Sequence, residues 1–571
     1  MESLNINQFF TSWWSAPLHT LLPAPLCQAI ALSHQEPHAL WSQLFRLHQE
    51  VTGCQSRSGL GRGYNFYHDS VVRHLGKRRI ALRVVDQGST VAWTFDQLHR
   101  FVNSEVERWQ GSLRAGDRVA IVMPFGVHYV VALLSALRLG LTITSLPSDS
   151  PLLSLHQIER LLDEVAPTRL LLSRASPPID KERPRWLIDD LEEGKEPLGR
   201  EPHEYTPDSL FQISAALYTQ EEGTLLPLSA EASYLTALQS SLFAFGLKPD
   251  MTFAAPLSCE LAEQPARLLT TLLSGATTLH IAPQELLQNP QALKKESLDL
   301  LGISYPLRQL WMTTPALPKQ GLKFWYTNPF DNEIYRWQAF VQENKLEKIP
   351  TGRLLIDTSL GGVTLLTAPC IGRPQTELFP TPGLKWQLRQ IGLNDYPSSP
   401  SYGSFDAYST LTPLPDRKPS SGNIILARFG EGWMMGGTVL PNREGILFPI
   451  HQIEEAVGHL PFVAQGVVVA LPKQNSPINQ QFTLLVFVNP REAEELDRSA
   501  PAWRQRIQGR ITESVGAFYQ PEIIEFYPFY PKKNNEVDRN WCLFQYRTGI
   551  LDKKKKMRIY SLLNLAKQAL I

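Results

Sequence analysis

The stretch from Leu217 to Ser229 reads LYTQEEGTLLPLS. A loop that cradles a phosphate needs glycines for close backbone approach, hydroxyls for hydrogen bonds and a lysine for charge. Here Tyr218, Thr219 and Gly223 supply part of that chemistry. No lysine follows, and Glu221 and Glu222 stand inside the stretch. Two like unit charges about 4 Å apart repel by about 4 kcal/mol at an effective dielectric of about 20, so these carboxylates oppose a triphosphate. An ordinary polar strand-to-helix loop fits the same residues.

The rest of the chain must position that stretch. With 571 residues, more than one domain and a large core are expected. Lys plus Arg and Asp plus Glu are equal at 55 each, so no global field favours nucleic acid. Cys27, Cys54, Cys259, Cys370 and Cys542 are far apart and odd in number. That argues for a reducing, cytoplasmic setting and against a disulfide framework or zinc site. No apolar run reaches the ~20 residues that span a bilayer. The apolar start, Met1 to Leu22, lacks the basic segment of a signal peptide.

Between residues 90 and 150 the pattern is strand, helix, strand. Val91–Leu98 reads as a strand, a turn and a helix start. Leu113–Pro124 reads as a loop feeding a buried strand, Tyr129–Leu139 as a helix closed by Gly140, and Leu141–Leu146 as a second buried strand. Near-continuous apolar strands between helices imply a parallel sheet covered on both faces. Ala230–Phe245 reads as a helix, and Leu272–Leu279 as helix, turn and strand. Tyr396–Gly403 and Pro413–Gly422 are rich in turn formers and read as irregular surface segments. Beyond these come a helix at Pro449–Val457, strands at Val463–Pro472 and Phe482–Val488, and a helix at Trp503–Val515.

These phrases resemble the adenylate-forming superfamily of acyl-CoA synthetases, luciferases and peptide-synthetase adenylation domains. Leu113-Arg114-Ala115-Gly116-Asp117-Arg118-Val119-Ala120-Ile121 is similar to the family's Lys-Gly-Asp-Arg-Val-Ala-Ile. Leu272-Leu273-Ser274-Gly275-Ala276-Thr277-Thr278-Leu279 is similar to Leu-Leu-x-Gly-Ala-Thr-Thr-Val. Asn65, Arg73 and His74 match an acetyl-CoA-synthetase-like phrase in which the family aspartate is replaced by Val72. The resemblance covers about residues 60 to 545. It implies an α/β protein: a large N-terminal domain of layered sheets and helices, plus a small, mobile α+β C-terminal domain. The implied organisation is an N-terminal extension at 1–60, an AMP-binding-like domain at 61–436, a small domain at 437–550 and a basic amphipathic tail at 551–571.

The same resemblance marks what is altered. Its phosphate loop, Tyr-Thr-Ser-Gly-Thr-Thr-Gly-x-Pro-Lys, keeps here Tyr218, Thr219 and Gly223. Its segment Asp-Thr-Trp-Trp-Gln-Thr-Glu-Thr-Gly-Gly is shortened to Asp357-Thr358-Ser359-Leu360-Gly361-Gly362, without the glutamate that serves magnesium. Its ribose-gripping aspartate falls nearest Asn423, a weaker acceptor. Its hinge arginine falls on Gly437, and Val439 and Leu440 stand in place of the hinge aspartates. Its adenylation lysine falls on Glu536; losing such a donor costs roughly 3–4 kcal/mol of transition-state stabilisation, and reversing its sign costs more.

The expectation is a catalytically impaired acyl-CoA-synthetase-like protein that scaffolds a protein partner or holds an acyl or CoA-like ligand. The alternative is an active AMP-forming acid–CoA or acid–thiol ligase using ATP, magnesium and CoA with unorthodox residues. In the tail, Lys553, Lys554, Lys555 and Lys556 precede a helical stripe of Ile559, Leu562, Leu563, Ala566 and Leu570. Such a helix docks on a membrane surface or a partner, or folds back on its own core.

Overall fold

The computed structural model describes residues 32–556, with interruptions at 195–200, 216–224, 258–264, 315–320, 329–333, 358–361, 372–376, 391–401, 410–423 and 529–538 and at shorter breaks of one to three residues. The chain forms two compact units. The larger comprises 1–150 and 161–440, and the smaller comprises 151–160 and 441–571.

The larger unit begins with helix α1 (Pro37–Thr52), which has proline in its first turn and stops at Gly53 in the left-handed conformation. Helix α2 (Phe66–Ser70) follows, capped by the Asn65 side chain accepting from His68 N. Strands β1 (Ile80–Asp86) and β2 (Ser89–Thr94) form a hairpin. Strand β2 runs directly into helix α3 (Phe95–Trp109), because Thr94 and Gln97 complete a capping box with no intervening turn.

Strands β3 (Arg118–Ile121), β4 (Thr142–Ser145), β5 (Arg169–Leu172), β6 (Arg185–Leu187), β7 (Leu210–Ala215) and β8 (Leu225–Ser229) form one sheet in the order β6-β5-β3-β4-β7-β8. All neighbours are parallel except β8, which runs antiparallel to β7. Helix α4 (Val127–Leu139) links β3 to β4 and is buried almost all round. A helix apolar on every side must lie between layers. Gly140 ends it at φ 79°, and a Cβ there would lie 2.4 Å from the His203 ring, so both conformation and space demand glycine.

Helix α5 (Leu155–Val165) links β4 to β5, and helix α6 (Ala230–Gln239) follows β8. Helix α6 is shorter than the expected Ala230–Phe245, since Ser240–Ala244 widen into a π turn.

The second sheet is larger. Its strands β9 (Thr252–Ala254), β10 (Thr277–Ile281), β11 (Leu300–Gly302), β12 (Phe324–Thr327) and β13 (Pro350–Asp357) are mutually parallel. Strand β10 also pairs parallel with β1. Antiparallel β14 (Gly362–Leu366), β15 (Cys370–Ile371) and β16 (Phe379–Pro380) close the edge beyond β13, giving β16-β14-β13-β12-β11-β9-β10-β1-β2 with β15 on β13. Helices α7 (Pro265–Leu273), α8 (Pro283–Gln288), α9 (Tyr305–Thr313) and α10 (Ile334–Glu343) are the connections.

A four-stranded antiparallel sheet follows: β17 (Leu384–Gln390), β18 (Tyr402–Ser409), β19 (Ile424–Phe429) and β20 (Gly432–Thr438). Tyr402 and Gly403 therefore belong to a strand rather than to an irregular loop; the turn formers before them obscured the aromatic-rich run that pairs with β17 and β19.

The smaller unit contains a short ribbon, β21 (Asn442–Arg443) with β22 (Ile446–Leu447), and helix α11 (Ile450–Gly458). Strands β23 (Val463–Lys473), β24 (Ser476–Val488) and β25 (Ile523–Tyr527) make its sheet, with β25 parallel to β24. Helices α12 (Leu496–Val515) and α13 (Arg539–Arg547) complete it.

Arg443 fastens this unit. It donates to the carbonyls of Phe518 and Gln520 and pairs with Glu522 at 3.0 Å. Its guanidinium lies 4.8 Å from the Phe448 ring centre and 5.6 Å from those of Phe482 and Phe518. Lysine lacks the planar fork these contacts use. Arg443→Ala is expected to lower the stability of the smaller unit by about 2–3 kcal/mol, with Arg443→Lys recovering little of it. Amide exchange along Phe482–Val488 measures this; unchanged protection would refute it.

Candidate functional site

In open α/β sheets the binding crevice lies beyond the carboxyl ends of parallel strands, where successive connections depart in opposite directions. In the larger sheet the chain passes from β9 to β10 on one side, then returns across β9 to β11. The switch point lies between β9 and β11. Leu257, just after β9, holds φ 55° without being glycine. Ser304, just after β11, caps α9 by accepting from Leu307 N at 3.3 Å and donates to Pro256 O at 3.4 Å. Gly302 must lack a side chain, because a Cβ would lie 2.4 Å from the Tyr326 hydroxyl. The buried Thr327 hydroxyl at the end of β12 has no hydrogen-bond partner among the described residues.

The smaller sheet reverses between β3 and β5, where Ser176 Oγ donates to Val122 O at 2.6 Å. Phe125, in the loop after β3, joins the two sheets. Its amide donates to Asp149 Oδ1 at 3.2 Å, and its ring lies 4.6 Å from that of His280 on β10. Burial raises the Asp149 carboxyl above its usual range against two backbone hydrogen bonds that lower it. Burial, reinforced by the Arg267 charge, pulls His280 down to about 3. Its Nε2 lacks a partner among the described residues, and Arg267 lies over Phe253 at 4.9 Å. A neutral imidazole, a desolvated carboxyl and a guanidinium thus gather where the strand ends of both sheets meet. Such a cluster orients a polar ligand group; perturbed groups of this kind concentrate at binding sites.

Tyr218, Thr219, Gln220, Glu221, Glu222 and Gly223 fall within 216–224, outside the described residues. The flanks are described. Ala215 on β7 pairs with Leu225 on β8, so the stretch connects two antiparallel strands and is not a strand-to-helix loop. Pro227 sits in β8 because that strand is the sheet edge, where a missing donor is tolerated. Helix α6 begins only after Ser229, whose hydroxyl accepts from Ala232 N at 3.2 Å.

Asp357 pairs with Gly362 across the β13–β14 hairpin, with 358–361 outside the described residues. Gly437 lies on β20 opposite Ile425. Asn423 and Glu536, with Lys532 and Lys533, also lie outside the described residues.

The first turns of the tail are helical, and Leu551 is buried beside Val467, Leu485 and Phe487. Lys555 lies over the Tyr527 ring at 5.6 Å, while Lys553, Lys554 and Lys556 are exposed. Leu551 therefore packs on the smaller unit's own core, and the stripe of Ile559, Leu562, Leu563, Ala566 and Leu570 lies outside the described residues.

One buried charge was not anticipated. Asp69, fully buried, accepts from Ser56 Oγ at 2.6 Å, Arg57 N at 2.9 Å, Ser58 N at 3.2 Å, Ser58 Oγ at 2.6 Å, His68 Nδ1 at 2.9 Å and Tyr234 Oη at 2.8 Å. It ties the segment after α1 to α6. Its only local signal is the Ser-Arg-Ser run at 56–58, which offers donors.

No known family profile and no curated protein sequence matches this chain. Solved structures do. The o-succinylbenzoate CoA synthetase of Bacillus subtilis, solved with a product analogue, superposes with a TM-score of 0.62 at 15% identity, covering 83% of this chain and 97% of that one. The fold is that of the acyl-CoA synthetases. A malonyl-CoA ligase matches at TM-score 0.61 and 15% identity over 80% of this chain and 97% of its own. An acyl-CoA synthetase of Brucella canis matches at 0.55 and 17% identity over 90% and 98%. The expected α/β architecture, with a large N-terminal domain of sheets and helices, is thereby established.

Proposed function

We propose that this chain is an acyl-CoA-synthetase-like protein that has lost adenylation chemistry and works as a binding or scaffolding protein. The observation that carries this reading is the charge placed where the nucleotide phosphates belong. Glu221 and Glu222 occupy the phosphate-loop stretch, and Glu536 occupies the place of the lysine that stabilises developing negative charge. The shortened 358–361 connection omits the magnesium carboxylate, and Gly437 offers ribose no guanidinium. Several independent contributions to one transition state are lost together, which a single compensating residue does not restore. The retained crevice, with Ser304, Thr327, His280 and Arg267 near the strand ends, suits an acyl or CoA-like ligand or a partner segment. The exposed Lys553, Lys554 and Lys556 offer an anionic partner or membrane surface a contact outside the crevice.

The expected result is no binding heat on titration with ATP and magnesium, and no hydroxamate when hydroxylamine traps products from a panel of carboxylic acids. Tight ATP binding with acid-dependent pyrophosphate release would instead establish the ligase reading, with Lys532 or Lys533 serving in place of Glu536.

A further inference from the structure

We propose that Cys54 and Lys77 form an oxidant-gated covalent bridge, Cys54 Sγ–O–Nζ Lys77. Lys77 Nζ lies 2.6 Å from Cys54 Sγ. Nitrogen and oxygen in an N–H···O bond stand about 2.7–3.2 Å apart, and sulfur is the larger atom. The pair is therefore closer than a hydrogen bond to sulfur requires and at the separation that one interposed oxygen spans. The thiol is 8% exposed, while Lys77 is on the surface and gives a small oxidant a path. The surroundings are cationic: Arg73, Arg79 and Lys77 all act on the neighbouring His74. The sulfur is the nucleophile in peroxide reduction. Sγ also lies 3.3 Å from Thr52 O, which orients it at the end of α1.

The oxidant is hydrogen peroxide. The Cys54 thiol attacks one peroxide oxygen, giving sulfenic acid and one water. A second hydrogen peroxide oxidises the Lys77 amine to a hydroxylamine, releasing another water. Condensation of sulfenic acid with hydroxylamine expels a third water and forms the S–O–N bridge. One S–H and one N–H bond are lost, one oxygen is kept, and two peroxides accept four electrons. The bridge joins the exit of α1 to the entrance of β1, enclosing the segment that holds Asp69.

The test treats the full chain with hydrogen peroxide and reads intact mass and tryptic peptides. The expected product is about 14 Da heavier, links residues 47–57 to residues 74–78, loses cleavage after Lys77 and reverts with dithiothreitol. Cys54→Ser and Lys77→Arg abolish the link. Lys77→Arg keeps the surface charge, and its Cys54 then accumulates sulfenic or sulfinic acid. Oxygen adducts on Cys54 without a link in the unsubstituted chain overturn the proposal. So does a linked product about 2 Da lighter, which would be a direct S–N bond. Cys370 and Cys542, both buried, are the internal comparators.

Discussion

Asp69→Ala is expected to lower the stability of the larger unit by about 3–5 kcal/mol, the range for stripping one partner from a buried charged network. The carboxylate is fully buried and accepts six hydrogen bonds, from Ser56, Arg57, Ser58, His68 and Tyr234. Burial alone would raise its pKa. The hydrogen bond from His68, the Arg73 charge and the Ser56 and Ser58 hydroxyls outweigh that and hold it well below the usual carboxylate range. Alanine leaves those donors without an acceptor. Asn fares little better, since its amide nitrogen meets donors on one side. Ser58→Ala removes one hydroxyl donor and is expected to cost only about 1 kcal/mol. Denaturant unfolding of the full chain, with the transition of the larger unit resolved from that of the smaller, measures all three. A midpoint for Asp69→Ala within error of the parent would mean that Asp69 is not the tie between α1 and α6.

Why this residue escaped the sequence explains what such reading reaches. The strand–helix–strand unit at 118–145 was legible because its signals are local: apolar strands, helical spacing and Gly140, whose positive φ only glycine adopts at ease. Gly275, Ala276 and the threonines after them marked the α7–β10 turn in the same way. Asp69 gave no such mark. Its neighbour His68 is adjacent, but Tyr234 is 165 residues away, and nothing in a single sequence joins them. The β7–β8 hairpin was misread for a related reason. Pro227 argues against a strand unless the strand is an edge, and edges are settled by the whole sheet. The candidate site divides along the same line. Glu221, Glu222 and Glu536 are evident as residue types, whereas the Phe125–His280 contact depends on two sheets meeting.

That contact bears on the retained scaffold as well as on ligand binding. Gly302 beneath Tyr326 and Ser304 bridging to Pro256 hold the strand ends in place whichever ligand occupies the crevice. Fold and chemistry are specified by separate residues, so these packing constraints stand whichever ligand the crevice takes.

Acid should unfold the larger unit well above the pH at which its carboxylates protonate. His48, His74 and His280 are buried and held neutral. Burial lowers all three; Arg73 adds to it for His48, Arg73 and Arg79 for His74, and Arg267 for His280. His74 and His280 sit at about 3, against an ordinary value of about 6.5. Their folded pKa is below the unfolded one, so stability is full above about pH 6.5 and is lost as pH falls toward the folded values. Each neutral imidazole forfeits about 1.4 kcal/mol per pH unit in that window. At pH 5 His74 and His280 together forgo about 4 kcal/mol, and His48 adds to this in the same direction, a large share of the whole stability of many domains. Asp149 and Glu105, raised by burial, act the other way, but only nearer the carboxylate range. Asp69 adds its own loss below about pH 4. Denaturant midpoints measured from pH 7.5 down to 5 should fall steeply for the parent. His74→Gln and His280→Gln, each removing one titrating ring, should each take about 1.4 kcal/mol per pH unit off the slope. A parent midpoint level across that interval would show that these rings accept protons in the folded state.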